Sequence, residues 1–192
     1  PFRAAQDFVE TKKDWITQKV SEIETNKTIF SNDSNYNTRN HRLRFYSQQR
    51  KNLIVQLTDS EILVQYPQEL NVNDSQVQEA AKRGIIMAFR KEAKLLLPER
   101  LAFLAKQEGF TYNKLSIKNI KSRWGSCSAK NNINLSIYLM KLPDELIDYV
   151  ILHELTHTIH KNHGKDFWIY LDRITGNSKE FASRVKKYRT GI

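Results

Sequence analysis

The chain has 192 residues, 40% of them hydrophobic, and 31 Lys and Arg against 21 Asp and Glu give it a net charge of +10. No apolar run approaches the roughly 20 residues that span a bilayer, which excludes a membrane-spanning helix, and the length fits one globular domain or one domain plus an arm. A single cysteine, Cys127, excludes an intrachain disulfide and, with no secretory signal, points to a reducing cytoplasm.

In chain order, Phe8, Trp15, Ile16, Val20 and Ile23 recur at helical spacing, and 1–24 reads as an N-terminal helical arm. Residues 25–40, rich in Asn and Ser, read as a polar linker, which leaves 41–192 as the main domain. Apolar and polar positions alternate over 43–45, 53–57 and 62–66, with Thr58-Asp59-Ser60 as a turn, which predicts an antiparallel hairpin or meander. Asp74 or Ser75 caps a long helix that Pro98 is expected to break near Leu97, and a second helical segment follows to Gly109. Residues 115–120 and 133–139 read as two more strands, joined by a loop through Trp124-Gly125-Ser126-Cys127. Pro143-Asp144-Glu145 opens another helix, with a proline and two acids in its first turn. From Lys165 the tail is helical in two pieces separated near 175–177. The sum is an α+β fold, an antiparallel β-sheet packed with helices. The chain opens on Pro1 without an initiator Met, so the expectation is that it begins inside a longer protein.

The chemistry concentrates in His153-Glu154-Leu155-Thr156-His157 and His163. Residues four apart share a helix face, so His153 and His157 can present two imidazoles to one ion, with Glu154 beside the open coordination position. Catalytic zinc takes three protein ligands and keeps a place for water, whose pKa it lowers; a neighbouring carboxylate can then take the proton. His163 lies too far along to face the same ion on a continuing helix, so the chain must turn back. Asn162 and Gly164 stand where that turn is needed. The competing reading is a buried helix, since Ile147, Val150, Ile151, Leu152, Leu155 and Ile159 surround the motif. Four of the chain's five histidines fall within 153–163, however, and burying so many imidazoles beside an unpaired Glu is costly without a metal. A Zn2+ site of His153, His157 and His163 is therefore predicted, with Glu154 as the general base.

Metzincins share the spacing, but they carry Gly where His160 stands and a downstream Met-turn, whereas Met87 and Met140 both lie upstream. A different series runs through the chain: Lys121-Ser122-Arg123-Trp124-Gly125-Ser126-Cys127-Ser128, then Asn132-Ile133-Asn134-Leu135, Leu142-Pro143 and Ile147-Asp148-Tyr149-Val150. It continues into the His-Glu motif and ends on Asn162-His163-Gly164 with Phe167-Trp168. In this series the chain resembles the YgjP-like zinc metallopeptidase family, related to the WLM and SprT-like proteases, and Lys13-Asp14-Trp15-Ile16 looks like the family's earlier helix. The resemblance covers 75–170 well. It implies a zincin-like active-site helix, His153, His157 and His163 as metal ligands, and Glu154 as catalytic base. The family often has Ser where Gly164 stands, and it carries a β-rich segment before the Trp15 helix.

A second constellation is basic. Lys121 and Arg123, two apart on an extended strand, would point the same way, either as solvated charges on an edge strand or toward an anionic substrate. Cys127 has no paired histidine in the sequence and reads as a packed or exposed thiol, and His160 as a packing residue or a partner of the ligands.

These residues predict a zinc-dependent hydrolase of metallopeptidase type acting on a peptide. The resemblance also implies an alternative with the same site, a nucleoside-triphosphate pyrophosphatase converting UTP to UMP and pyrophosphate, for which a second divalent ion on the phosphates is expected. The third reading is a non-catalytic zinc-containing module that binds nucleic acid through the basic surface. No motif in the chain specifies an oligomeric state.

Overall fold

The computed structural model describes residues 2–25 and 28–192. Helix α1, Phe2–Thr25, leaves Phe8, Val9, Trp15 and Ile16 exposed. Residues 26 and 27 of the expected linker lie outside the described residues. From Phe30 onward that stretch is anchored in the domain: Phe30 is 1% exposed, and its amide and carbonyl both bond the Gln78 side chain at 2.8 Å.

Three strands follow, β1 (Arg42–Gln48), β2 (Ile54–Leu57) and β3 (Glu61–Pro67). β2 and β3 form the expected antiparallel hairpin, but β1 pairs with β3 in parallel, so the sheet is mixed, in the order β1-β3-β2. Burial accounts for the departure from a meander. Ile62 and Val64 of β3 are fully buried while every residue of β2 keeps some exposure, and the most buried strand takes the central place.

Helix α2 runs from Ser75 to Glu108 as one element of 34 residues, and Pro98 does not break it. Pro98 and Lys94, whose carbonyl loses its helical partner, both sit on the exposed face, where water can satisfy that carbonyl. Leu97, Leu101 and Leu104 meanwhile hold both halves in the core. Gly84 permits the close approach of α2 to β3, since a Cβ there would run into Ile62 Cγ2. The helix ends on Gly109, at φ +72°.

The second sheet repeats the winding of the first. β4 (Lys114–Lys118) lies parallel to β6 (Asn132–Ser136), and β5 (Gly125–Cys127) pairs antiparallel with β6, in the order β4-β6-β5. The expected Trp-Gly-Ser-Cys loop is thus partly an edge strand. A 3₁₀ turn, Ile137–Lys141, leads into α3 (Asp144–Thr156), followed by α4 (Lys165–Thr175) and α5 (Ser178–Val185). α2 packs against β2, β3, β4, the 3₁₀ turn and α3, and so joins both sheets to the helical half. Among the described residues no helix is long and apolar enough to cross a membrane.

Candidate metal centre

Three ion pairs grip the start of α3. Asp144 takes Arg39, Glu145 takes Arg184 from α5, and Asp148 receives both Nε and Nη2 of Arg100 from α2. Two of these acids also complement the positive end of the helix. The far end carries the candidate ligands. The helix stops at Thr156, and amides 158, 159 and 160 bond back to Leu155 and Thr156, which turns the chain so that residue 163 returns. Neither Asn162 nor Gly164 adopts a positive φ, so the turn does not draw on their conformational freedom.

The three imidazoles converge. His163 Nε2 lies 3.1 Å from His157 Nε2 and 3.0 Å from His153 Nε2. The Nδ1–H of His157 donates to the His160 carbonyl at 3.0 Å, leaving Nε2 as a free lone pair. Trp168 stacks on His163 and its Nε1–H donates to the His163 carbonyl at 3.1 Å, which fixes the returning segment. Phe167, fully buried, underlies all three rings, its centroid 4.6 to 5.0 Å from theirs.

The donor set fits a metal. Three lone pairs aimed at one point repel unless a cation stands between them, and tetrahedral zinc at about 2.0–2.1 Å spaces its nitrogens by about 3.4 Å, close to what is seen here. Burial, reinforced by His157 and His163, pushes His153 down to about 3, so it stays neutral and able to ligate.

Glu154 is 6% exposed, and burial pushes its carboxyl up to about 7 against the opposing pull of the Arg123 charge and the Cys127 backbone hydrogen bond. It lies against β5, where a Cβ on Gly125 would come within 2.7 Å of Glu154 Cγ and 2.8 Å of Oε1. A cavity of about 310 Å³ gathers Gly125, Ser126 and Cys127 with His153, Glu154, His157, Lys161 and His163.

Neither of the two cations singled out in the sequence lines this cavity; Arg123, exposed, acts on Glu154 through its charge. The segment between β4 and β5 is irregular, so the alternation of a strand does not hold across these two residues. Lys121 instead acts on Glu79, and its carbonyl accepts the Thr190 hydroxyl. Sequence reasoning missed Lys161, which lines the cavity and bonds Asn131 Oδ1, and it did not foresee Phe167 as the floor. His160 packs its ring on Tyr170, 5.6 Å between centroids. The Cys127 thiol donates to the Ser128 carbonyl, and burial pushes its pKa up.

Among solved structures the chain is similar to the metallopeptidase zymogen jannalysin of Methanocaldococcus jannaschii, with 24% identity over 47% of this chain and 93% of that one and a TM-score of 0.42. It is also similar to the zymogen abylysin of Pyrococcus abyssi, at 22% identity over 50% of this chain and all of that one, with a TM-score of 0.44. A Wss1 mutant from Saccharomyces cerevisiae shares 24% identity over 50% of this chain and 84% of its own, with a TM-score of 0.40. No curated protein matches. The profile of the YgjP-like metallopeptidase domain matches residues 1–188, and the chain belongs to that family of metal-dependent hydrolases.

Proposed function

We propose that the chain is a zinc-dependent peptidase in which His153, His157 and His163 hold the ion and Glu154 is the general base. The observation that carries this reading is the meeting, in one cavity, of three converging Nε2 atoms, a buried carboxylate and the free edge of β5. When bound, the ion supplies a Lewis acid that acidifies water and polarises a carbonyl.

The chain's own groups do the rest. Glu154, held against Gly125 and Cys127, takes the proton of the attacking water and delivers it to the leaving amine. The Ser136 amide donates to the Trp124 carbonyl and the Ser128 amide to the Asn132 carbonyl, so by ladder alternation the polar backbone groups of Gly125 and Cys127 turn away from β6 toward the cavity. Those of Gly125, with the Cys127 carbonyl, can pair with an extended peptide. Lys161 and Arg123 add positive charge where an oxyanion would form.

The same two cations favour a second reading, hydrolysis of a nucleoside triphosphate to the monophosphate and pyrophosphate. Both are tested together by incubating the zinc-loaded chain with a mixed peptide library and, separately, with UTP and magnesium. The Glu154→Gln variant is run alongside and metal content measured in each sample. Peptide cleavage that falls at least about 100-fold in the variant, at unchanged zinc, supports the peptidase; pyrophosphate release with the same dependence supports the second reading instead. Turnover undiminished in Glu154→Gln would remove Glu154 from the mechanism.

A further inference from the structure

The net charge of this chain is not spread over it. Residues 109–143 and 181–192 contain ten of the 31 lysines and arginines and none of the 21 acids. The remaining 21 cations and 21 acids cancel, so these two stretches carry the whole charge of +10. They are far apart in sequence, yet the fold joins them. Lys141 Nζ donates to the Arg189 carbonyl at 2.9 Å and the Gly191 carbonyl at 2.8 Å, and the Thr190 hydroxyl donates to the Lys121 carbonyl. A Cβ on Gly191 would lie 4.0 Å from the Lys121 side chain.

Lys118, Lys121, Arg123, Lys186, Lys187 and Arg189 are all exposed. The acid beside Lys121 is Glu79, which already pairs with Lys82 at 2.8 Å. Such a surface recruits a polyanion. Its texture narrows the class. The exposed large hydrophobic group in these stretches is Tyr188, set between Lys187 and Arg189, while no exposed aliphatic anchor accompanies it among the described residues. A lipid surface calls for such anchors beside the cations. An aromatic ring among phosphate-binding cations suits unpaired bases, which stack on it.

We propose that this joined surface binds single-stranded nucleic acid, through its phosphates on Lys118, Lys121, Lys187 and Arg189 and through stacking on Tyr188. The partner is independent of the hydrolytic chemistry, and Glu154→Gln should bind as the unaltered chain does.

Fluorescence anisotropy of the zinc-loaded chain with a labelled mixed-sequence DNA strand of about 20 nucleotides tests this across a salt series. A K118Q/K121Q/K187Q/R189Q variant should bind at least tenfold more weakly, with a salt slope reduced by about 0.7 for each phosphate no longer neutralised. K12Q/K51Q/K94Q/K179Q removes as many charges from the balanced part of the chain and should change affinity less than twofold. Tyr188→Ala should weaken DNA binding several-fold and leave inorganic polyphosphate binding unchanged. Unfolding midpoints matching the unaltered chain keep the comparison one of surface charge. No binding by the unaltered chain near physiological salt, or equal weakening in the two fourfold variants, overturns the proposal. So does equal affinity for polyglutamate or phosphatidylserine vesicles.

Discussion

Gly125 is where the β5 backbone and the buried Glu154 carboxylate come closest. With no Cβ it lets Glu154 lie flat against β5; an alanine would drive the carboxylate off its position while leaving the three imidazoles untouched. Gly125→Ala should therefore keep its zinc, measured by metal analysis, and lose at least tenfold in kcat, on the order of what displacing a general base costs. Glu154 also leaves a signature in stability. Its folded pKa, about 7, lies above the ordinary 4.5, so in the metal-free protein its contribution is fully present below pH 4.5 and is lost as pH rises through 7. Burial of the ionised carboxylate then costs about 3 kcal/mol. Metal-free Glu154→Gln should accordingly gain stability over the unaltered chain as pH rises from 4.5 to 7, read by denaturant melts at each pH; a gap that stays constant would contradict the burial. That His153, Glu154 and His157 come together was legible in the sequence because residue type and helical spacing suffice to join them. Lys161 and Phe167 were not, since their place at the site comes from the returning chain and from α4 packing beneath it.

At the scale of elements, α3 is held at both ends by different physics. Its start is gripped by arginines from the 28–40 stretch, α2 and α5, and its end by the backbone bonds of the 157–160 turn. α2 exposes the limit of reading proline as punctuation. The proline rule describes a local cost, and the buried leucines on either side of Pro98 outweigh it. Because the native backbone there is already helical and exposed, Pro98→Ala should add the missing hydrogen bond and stabilise the protein by about 1–3 kcal/mol, measured by thermal or denaturant unfolding. The expected hairpin of β2 and β3 was legible from alternation and a turn. The parallel neighbour of β3 was not, because pairing across a chain crossing leaves no periodicity in sequence. β5 was missed for another reason: Gly-Ser-Cys has little strand propensity, and its pairing comes from Ile133 and Leu135 fixing β6 beside it.

Across the whole molecule, the three-histidine cluster joins α3 to the segment before α4, so an ion bound by all three histidines should stabilise the fold as well as the site. Zinc at about 100 times its Kd should add about 2.7 kcal/mol, and a chelator should lower the Tm of the unaltered chain and of Glu154→Gln alike. A chelator-insensitive Tm would mean that the imidazoles do not share an ion. The repeated winding of the two sheets has a consequence for how the protein is made. In each sheet the last strand in the chain sits in the middle, so the first two leave the ribosome with a gap between them and no partner to close it. The first sheet stays open until residue 67 has emerged and the second until residue 136, and the histidines come later still. Nascent strand edges are thus unsealed for much of synthesis, and the histidine cluster is completed only after the body that holds it.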